Sequence, residues 1–575
     1  MGFDRRTFLQ RAGLALLTLG ASQTGLPSLA NRYYQALAAP THRKLALLIG
    51  INNYLPGTNL AGCATDVELQ RDLLIHRFGF QPEDILTLTD TQATRTAIET
   101  AFVEHLIKQA IATDVVIFHF SGYGGRVKRP QSLVADESPT TDTLINSLVA
   151  SESTQSLSKS NDLLEETLLL LGRSLATEQV TLVLDTSHHS TGKILQGNLR
   201  VRSFPTLSEA PSPDELAFGE KLKAQIRASK SALQRTPTRP NPGMILCATQ
   251  AHQIAAEATW NGFSAGLFTY ALTQYLWQVT PPSKVLATLT RTVEQIEPLM
   301  GKQQQPQLLR EGKQPLLTYF LLPETPTGAE GVVTAIEDKD IVVLKLAGLP
   351  AEILENYGKN SEFRIQNSEG IILRIRSREG LIAKARLIET PGTDIAPIQV
   401  GQGIQEYIRV LPRNLGLTIA LDTSLERIER VDATSAFSSI PAVGSVVVAG
   451  EQGADCLLAR VKETAPLKGS NSSANPDPLF PKNQVPETVL GSYGLFSAGG
   501  VLIPNTADMT NEAVKSAIQR LVPQFKKLLA AKLWRLTRNG ESSRLGVRAT
   551  LEKVEQIIQP LRRRETTRPG TMDSV

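Results

Sequence analysis

At 575 residues, with 41% hydrophobic and 20% charged, the chain is long enough for two to four domains and too apolar for wholesale disorder. Lys and Arg number 60 against 56 Asp and Glu, a net charge of +4 that marks neither a nucleic-acid binder nor an acidic partner. Cys63, Cys247 and Cys456 lie far apart with no CxxC, which argues against a disulfide framework, a zinc cluster or a thioredoxin-like motif.

The N-terminus reads DRRTFLQR followed by an apolar stretch from Ala12 to Ala21, a charged region leading into a short hydrophobic one. Ten apolar residues span about 15 Å as helix, roughly half a hydrocarbon core, so residues 1–39 read as an export signal rather than a membrane span. The Arg5-Arg6 pair before Phe8-Leu9 resembles a twin-arginine signal, which exports folded proteins to the periplasm or thylakoid lumen. Ala36-Leu37-Ala38 offers a cleavage site, and an uncleaved signal would leave the protein membrane-anchored.

Apolar runs then alternate with helical periodicity across 40–325, which reads as one α/β domain with parallel strands and crossover helices. Strands are predicted at Lys44–Gly50, Asp84–Thr89, Asp114–Phe120, Gln179–Leu184 and Gly243–Ala248, because short continuous apolar runs suit a sheet covered on both faces. Helices fit at Thr65–Phe78 and Thr94–Ile111. The stretch Phe204–Pro242, Pro-rich at both ends, reads as an exposed insertion between a first part, 44–203, and a second, 243–325.

Beyond Gly328, runs such as GVVTAI, DIVVLKL, SEFRIQ, GIILRI, LIAKARLI and GSVVVAG between turn residues predict a β-rich accessory domain over 330–465. Residues 464–486, rich in Ser, Pro and Asn, read as a linker to a C-terminal α+β region at 487–575. Its helical segment Glu512–Leu536 is expected to break at Pro523. Residues 512–568 carry 14 Lys or Arg against 5 acids, which reads as a solvated basic face with a tail at Arg562–Arg564.

Two apolar strands end in small, polar sequences, FSGYGG at 120–125 and LDTSHHS at 184–190, and functional groups in open α/β sheets collect beyond the carboxyl ends of strands. The runs KLALLIGINNY, LAGCATDVELQRDLL, DVVIFHFSGYGG and VTLVLDTSHHSTG, with GMILCATQAHQIAAE and GFSAGLFTYAL later, resemble the caspase and metacaspase family, most closely its cyanobacterial-type branch. The resemblance implies a caspase-hemoglobinase-like sheet flanked by helices over about 44–320.

The family cleaves peptide bonds with a His in an SGHG-type loop and a Cys in a DxCHSG-type loop, the imidazole generating the thiolate that attacks. Matched by position, Tyr123 stands at the His and Ser187 at the Cys. A phenol with an ordinary pKa near ~10 is a poor base at neutral pH, so both catalytic positions are expected to be inactive. His188 matches the His of the family's CHSG loop, His189 stands where the family has Ser, and His119 reads as a core histidine.

The resemblance also implies a pocket for an Arg or Lys side chain, with Cys63, Asp66, Ser121 and Asp185 at its matching positions, because a buried cation requires opposite charge. No cofactor is expected. Calcium is implied by the family alone, and Asp136, Glu137 and Asp142 lack the spacing of a calcium loop. These features point to a non-catalytic family member that binds a protein or peptide with Arg/Lys segments, or regulates an active relative. The alternatives are an Arg/Lys-directed endopeptidase using Ser187, and an envelope interaction module with this domain as scaffold.

Overall fold

A computed structural model of the protein describes residues 43–540, apart from 55–58, 129–143, 154–159, 190–197, 206, 209, 234–241, 281–282, 311–316, 338–339, 367, 369, 389–396, 451, 462–490 and 509–511. The expected export signal, the acids Asp136, Glu137 and Asp142, the expected linker 464–486 and the Arg562–Arg564 tail therefore lie outside the described residues.

The α/β part unfolds in chain order as β1 (Lys44–Gly50), α1 (Cys63–Phe78), β2 (Ile85–Thr89), α2 (Arg95–Ala101, continued by a π turn), β3 (Val115–Ser121), β4 (Gly124–Lys128), β5 (Leu144–Leu148) and β6 (Leu163–Leu164). There follow α3 (Glu165–Arg173), β7 (Val180–Asp185), β8 (Leu199–Val201), α4 (Pro213–Leu233), β9 (Met244–Cys247), β10 (Ala256–Trp260), β11 (Phe263–Gly266), α5 (Leu267–Gln278), α6 (Val285–Met300) and β12 (Gln307–Leu309). The five predicted strands are all present, each within a residue or so of its expected ends.

Six of these strands form one sheet in the order β12-β9-β7-β3-β1-β2, parallel throughout except at β12. Alternate residues supply the two faces: Ala46, Leu48, Ile117 and Val183 pack under α1 and α5, while Leu47, Ile49, Phe118, Phe120 and Leu182 pack under α2 and α3. Double coverage is why these strands are continuous apolar runs rather than alternating ones. The register pairs Gly50 with Ser121 and Ser121 with Asp185, so the carboxyl ends of β1, β3 and β7 finish in a row. That row is the floor of the site.

The stretch expected as an exposed insertion is instead bound to the domain. Ser203 and Ser208 bridge to Gly124 and Val127 of β4, and α4 packs on α3 with Glu215 fully buried against Arg95 at 3.2 Å. The first Pro-rich flank misled because its described residues pair with β4; the second, at 234–241, lies outside the described residues.

The accessory region divides in two where the sequence suggested one β-rich unit. β13 (Gly331–Ile336), β14 (Ile341–Lys345), α7 (Ala351–Glu355), β15 (Glu362–Ile365), β16 (Ile372–Glu379), β17 (Ile382–Ile388) and β18 (Gly403–Ile408) include a closed barrel in the order β13-β14-β17-β16-β15-β18. Closure leaves no unpaired edge. Arg77, buried in α1, fixes the approach to the barrel by donating to the carbonyls of Val279, Thr325 and Thr327.

GSVVVAG belongs elsewhere. β19 (Leu417–Leu421), α8 (Arg427–Phe437), β20 (Val443–Val448), β21 (Cys456–Arg460), β22 (Tyr493–Phe496) and α9 (Val514–Thr537) form a four-stranded sheet, β20-β19-β21-β22, with both helices packed together. Parallel pairing of β19 with β20 requires a crossover, and α8 provides it; its charged sequence RIERVDATSAF hid the helix. The expected break at Pro523 does not occur: α9 runs through it, burying Ala517, Ile518, Leu521 and Phe525 to either side. Among the described basic residues of this region, Lys515 pairs with Asp432, Arg520 with Glu512, Lys532 with Asp455 and Arg535 with Glu352.

Phe525 is fully buried edge-on to Phe437, with ring centroids 5.5 Å apart, and this pair joins α9 to α8. Phe525→Ala should destabilise this unit by about 3–5 kcal/mol, read as a lower urea midpoint for the transition that reports residues 417–540.

Candidate active-site cleft

Residues from five separate segments meet beyond the carboxyl ends of β3 and β7. Asp66 comes from the first turn of α1, Ser121 from the end of β3, Asp185 from the end of β7, Glu257 from β10 and Thr269 from the start of α5. All five side chains are buried. Asp66 does not cap its own helix: Oδ1 accepts from Gly266 N–H at 2.9 Å and Oδ2 from the Ser121 hydroxyl at 2.5 Å. Asp185 Oδ2 accepts from Thr269 N–H at 2.9 Å and its hydroxyl at 2.7 Å, and Glu257 accepts from the N–H groups of Ala61 and Gly62.

At the centre lies a residue that sequence reasoning missed. The Arg202 guanidinium, with no exposed surface, reaches Asp66 Oδ2 at 2.7 Å, Asp185 Oδ2 at 3.2 Å and Glu257 Oε2 at 3.2 Å, and donates to Ser121 Oγ at 2.6 Å. Burial works against its charge, but Asp66, Asp185 and Glu257 more than offset that and push its pKa well up. Burial likewise pushes the Asp66 carboxyl up, to about 7, against the opposing pull of Arg202 and Ser121. Cys63 stays a neutral thiol because burial pushes its pKa well up. The four expected pocket residues thus do converge, and the pocket they form holds the chain's own arginine. Arg202 follows a strand with no motif around it, and nothing in the run RVRSF sets it apart from Arg200.

The catalytic positions sit beside this pocket. The Tyr123 ring packs against Tyr54 and Phe204, with centroids 4.8 and 5.6 Å away, and burial pushes its phenol up to about 12. The Ser187 hydroxyl is buried without a hydrogen-bond partner among the described residues. His188 turns away from it, Nδ1 lying 3.3 Å from the Gly125 carbonyl and Nε2 3.9 Å from Glu165. His189 stacks edge-on to His252 at 6.1 Å.

His119 is buried on β3. The Thr269 hydroxyl spends its proton on Asp185, so His119 Nε2 must be the donor in its 3.2 Å bond to Thr269, leaving Nδ1 unprotonated and unpartnered. Burial, with Arg202 nearby, lowers its pKa to about 3. It is the core histidine the sequence suggested. Cys247 ends β9 and Cys456 begins β21, both as free thiols.

Residues 43–316 match the family model described as the caspase domain. Residues 43–316 are a caspase-family domain. Metacaspase-1 of Schizosaccharomyces pombe is 39% identical over 103 residues, 17% of this chain and 24% of that protein. Metacaspase-7 of Arabidopsis thaliana is 48% identical over 91 residues, 15% of this chain and 22% of that protein. The chain therefore spans about a quarter of the length of these curated relatives. A solved structure of a Geobacter sulfurreducens protein is similar at 19% identity over 49% of this chain and 97% of its own, with a TM-score of 0.33.

Two outcomes follow from this caspase-domain cleft. Arg202→Met should destabilise the protein by about 3–5 kcal/mol near neutral pH, because three buried carboxylates lose their counter-charge. The deficit should shrink in urea titrations at lower pH as protonation relieves their repulsion. His119 is neutral when folded and protonates below its ordinary pKa when unfolded, so it makes stability fall as pH drops from about 6.5 towards 3. His119→Gln should flatten that acid limb, by at most about 1.4 kcal/mol per pH unit.

Proposed function

We propose that the caspase domain is non-catalytic and serves as a recognition or regulatory module, acting on an active relative or on a partner with Arg/Lys segments. The observation that carries this reading is the pair at the catalytic positions: a phenol packed into an aromatic cluster with its pKa pushed to about 12, and a serine hydroxyl with no base within hydrogen-bond reach among the described residues. A serine is a useful nucleophile only when an adjacent base takes its proton. Loss of one member of such a unit already costs on the order of 10⁶-fold in rate.

The endopeptidase reading requires His188 to serve Ser187, and its ring is committed to Gly125 and Glu165 instead. The acidic pocket supports recognition of a guanidinium, since an arginine side chain is what fills it. Export in the folded state through a twin-arginine-type signal, to the periplasm or thylakoid lumen, belongs to the same proposal.

The full chain incubated with Arg- and Lys-ending fluorogenic peptides, with and without calcium, should show no turnover above buffer. Ser187→Ala should leave that baseline unchanged. Turnover abolished by that substitution would establish Ser187 as a nucleophile and end this reading.

A further inference from the structure

We infer that residues 199–204 occupy the substrate strand's place in this cleft, with Arg202–Ser203 in the position of the bond to be cut. The inference rests on the caspase-domain reading above and adds the identity of the occupant. Three independent contacts carry it, each at a different part of one residue.

The first is the strand. β8 pairs antiparallel with β10, Leu199 with Ala258, Arg200 with Glu257 and Val201 with Ala256, and Arg202 N–H extends the ladder by donating to Ala255 O at 2.8 Å. An extended segment added to a sheet edge, with one side chain in a specificity pocket, is a general mode of peptide recognition.

The second is the side chain, which fills the acidic pocket with every described carboxylate there turned on it. The third is the carbonyl. Arg202 O accepts from Gly124 N–H at 3.2 Å and from Ser187 N–H at 3.1 Å. Two backbone donors converging on one carbonyl oxygen, one of them from the residue at the nucleophile position, is the arrangement that stabilises an oxyanion during acyl transfer. Past the carbonyl, Ser203 bridges to Gly124, and Phe204 N–H donates to Gly124 O at 2.7 Å. The chain thus threads between the two loops that carry Tyr123 and Ser187. Structural burial of an arginine requires the second contact alone; it does not require the carbonyl to be held by those two donors.

The wild-type bond persists because the hydroxyl at position 187 has no base. Tyr123→His with Ser187→Cys supplies both missing groups to the full chain. The introduced thiolate attacks the Arg202 carbonyl carbon, the imidazolium gives its proton to the departing Ser203 nitrogen as the C–N bond breaks, and water hydrolyses the thioester to an Arg202 carboxylate. Expected is a single self-cleavage, read by mass spectrometry as a new N-terminus at Ser203, at a rate independent of protein concentration. Adding Arg202→Gln should slow it by at least about 100-fold.

Cleavage at another bond, or trans cleavage of Arg peptides with Arg202–Ser203 intact, overturns the placement. Should the double variant be inert, amide hydrogen exchange of the wild-type chain decides: the Ser187 and Gly124 N–H groups, both held by the Arg202 carbonyl, should exchange only through opening of the domain, and free exchange at Ser187 overturns the proposal. Turnover by the wild-type chain would instead sink the non-catalytic reading and leave the strand where it is.

Discussion

Three carboxylates and one guanidinium, removed from water together, set the terms on which the rest of this domain is built. Burying each charge costs several kcal/mol unless it is paired and hydrogen-bonded, so the cluster holds only because every partner is positioned. Asp66, Asp185 and Glu257 also accept from the backbone or hydroxyl donors of Gly266, Thr269, Ala61 and Gly62. Three carboxylates facing a single cation leave a formal excess of two negative charges, and burial, with the Asp185 charge beside it, pushes Asp66 up to about 7.

The geometry leaves no slack. A Cβ at Gly266 would lie 2.2 Å from Asp185 Oδ2 and 2.4 Å from Arg202 Nη1, and a Cβ at Gly124 would lie 2.4 Å from the Ser187 carbonyl. Both glycines are there because other chain atoms need the space. Arg202 in turn ties together parts that the sequence keeps far apart: its side chain joins α1, β3, β7 and β10, and its carbonyl joins the loops after β3 and β7. A reader of the sequence sees a first part and a second part separated by an insertion. In the structure, the segment leading into that insertion is the clasp between them.

Much of the fold was legible because a doubly covered parallel sheet writes itself as continuous apolar runs, as KLALLIG and DVVIFHF do. The convergence of Asp66, Ser121 and Asp185 was legible only through family resemblance, since nothing local to any of the three announces the others. Arg202 and Glu257 were not legible at all. Each sits at or beside a short strand of the β8-β10-β11 sheet, and their relation depends on an antiparallel register that no spacing rule encodes. The helix α8 was lost for a different reason: with a charged surface and only Ala433 and Phe437 fully buried, its apolar stripe is too narrow to show a period.

A strand tethered beside its own receptor has an effective concentration in the millimolar range, so a free peptide making the same contacts at micromolar levels loses by about a thousandfold. The cleft can therefore recognise an arginine in trans only if a partner also gains contacts elsewhere, or if it draws residues 199–204 out and compensates the carboxylates left behind. The parts of the chain able to supply such contacts are attached directly to the same core: Tyr270 and Gln274 of α5 donate to the carbonyls of Leu349 and Gly348 after β14, and the barrel's Lys345 pairs with Asp72 of α1 at 2.6 Å. Helix α5 begins beside Asp185 and one to two turns later bonds the segment after β14, so the arginine cluster and the barrel are joined through a single helix.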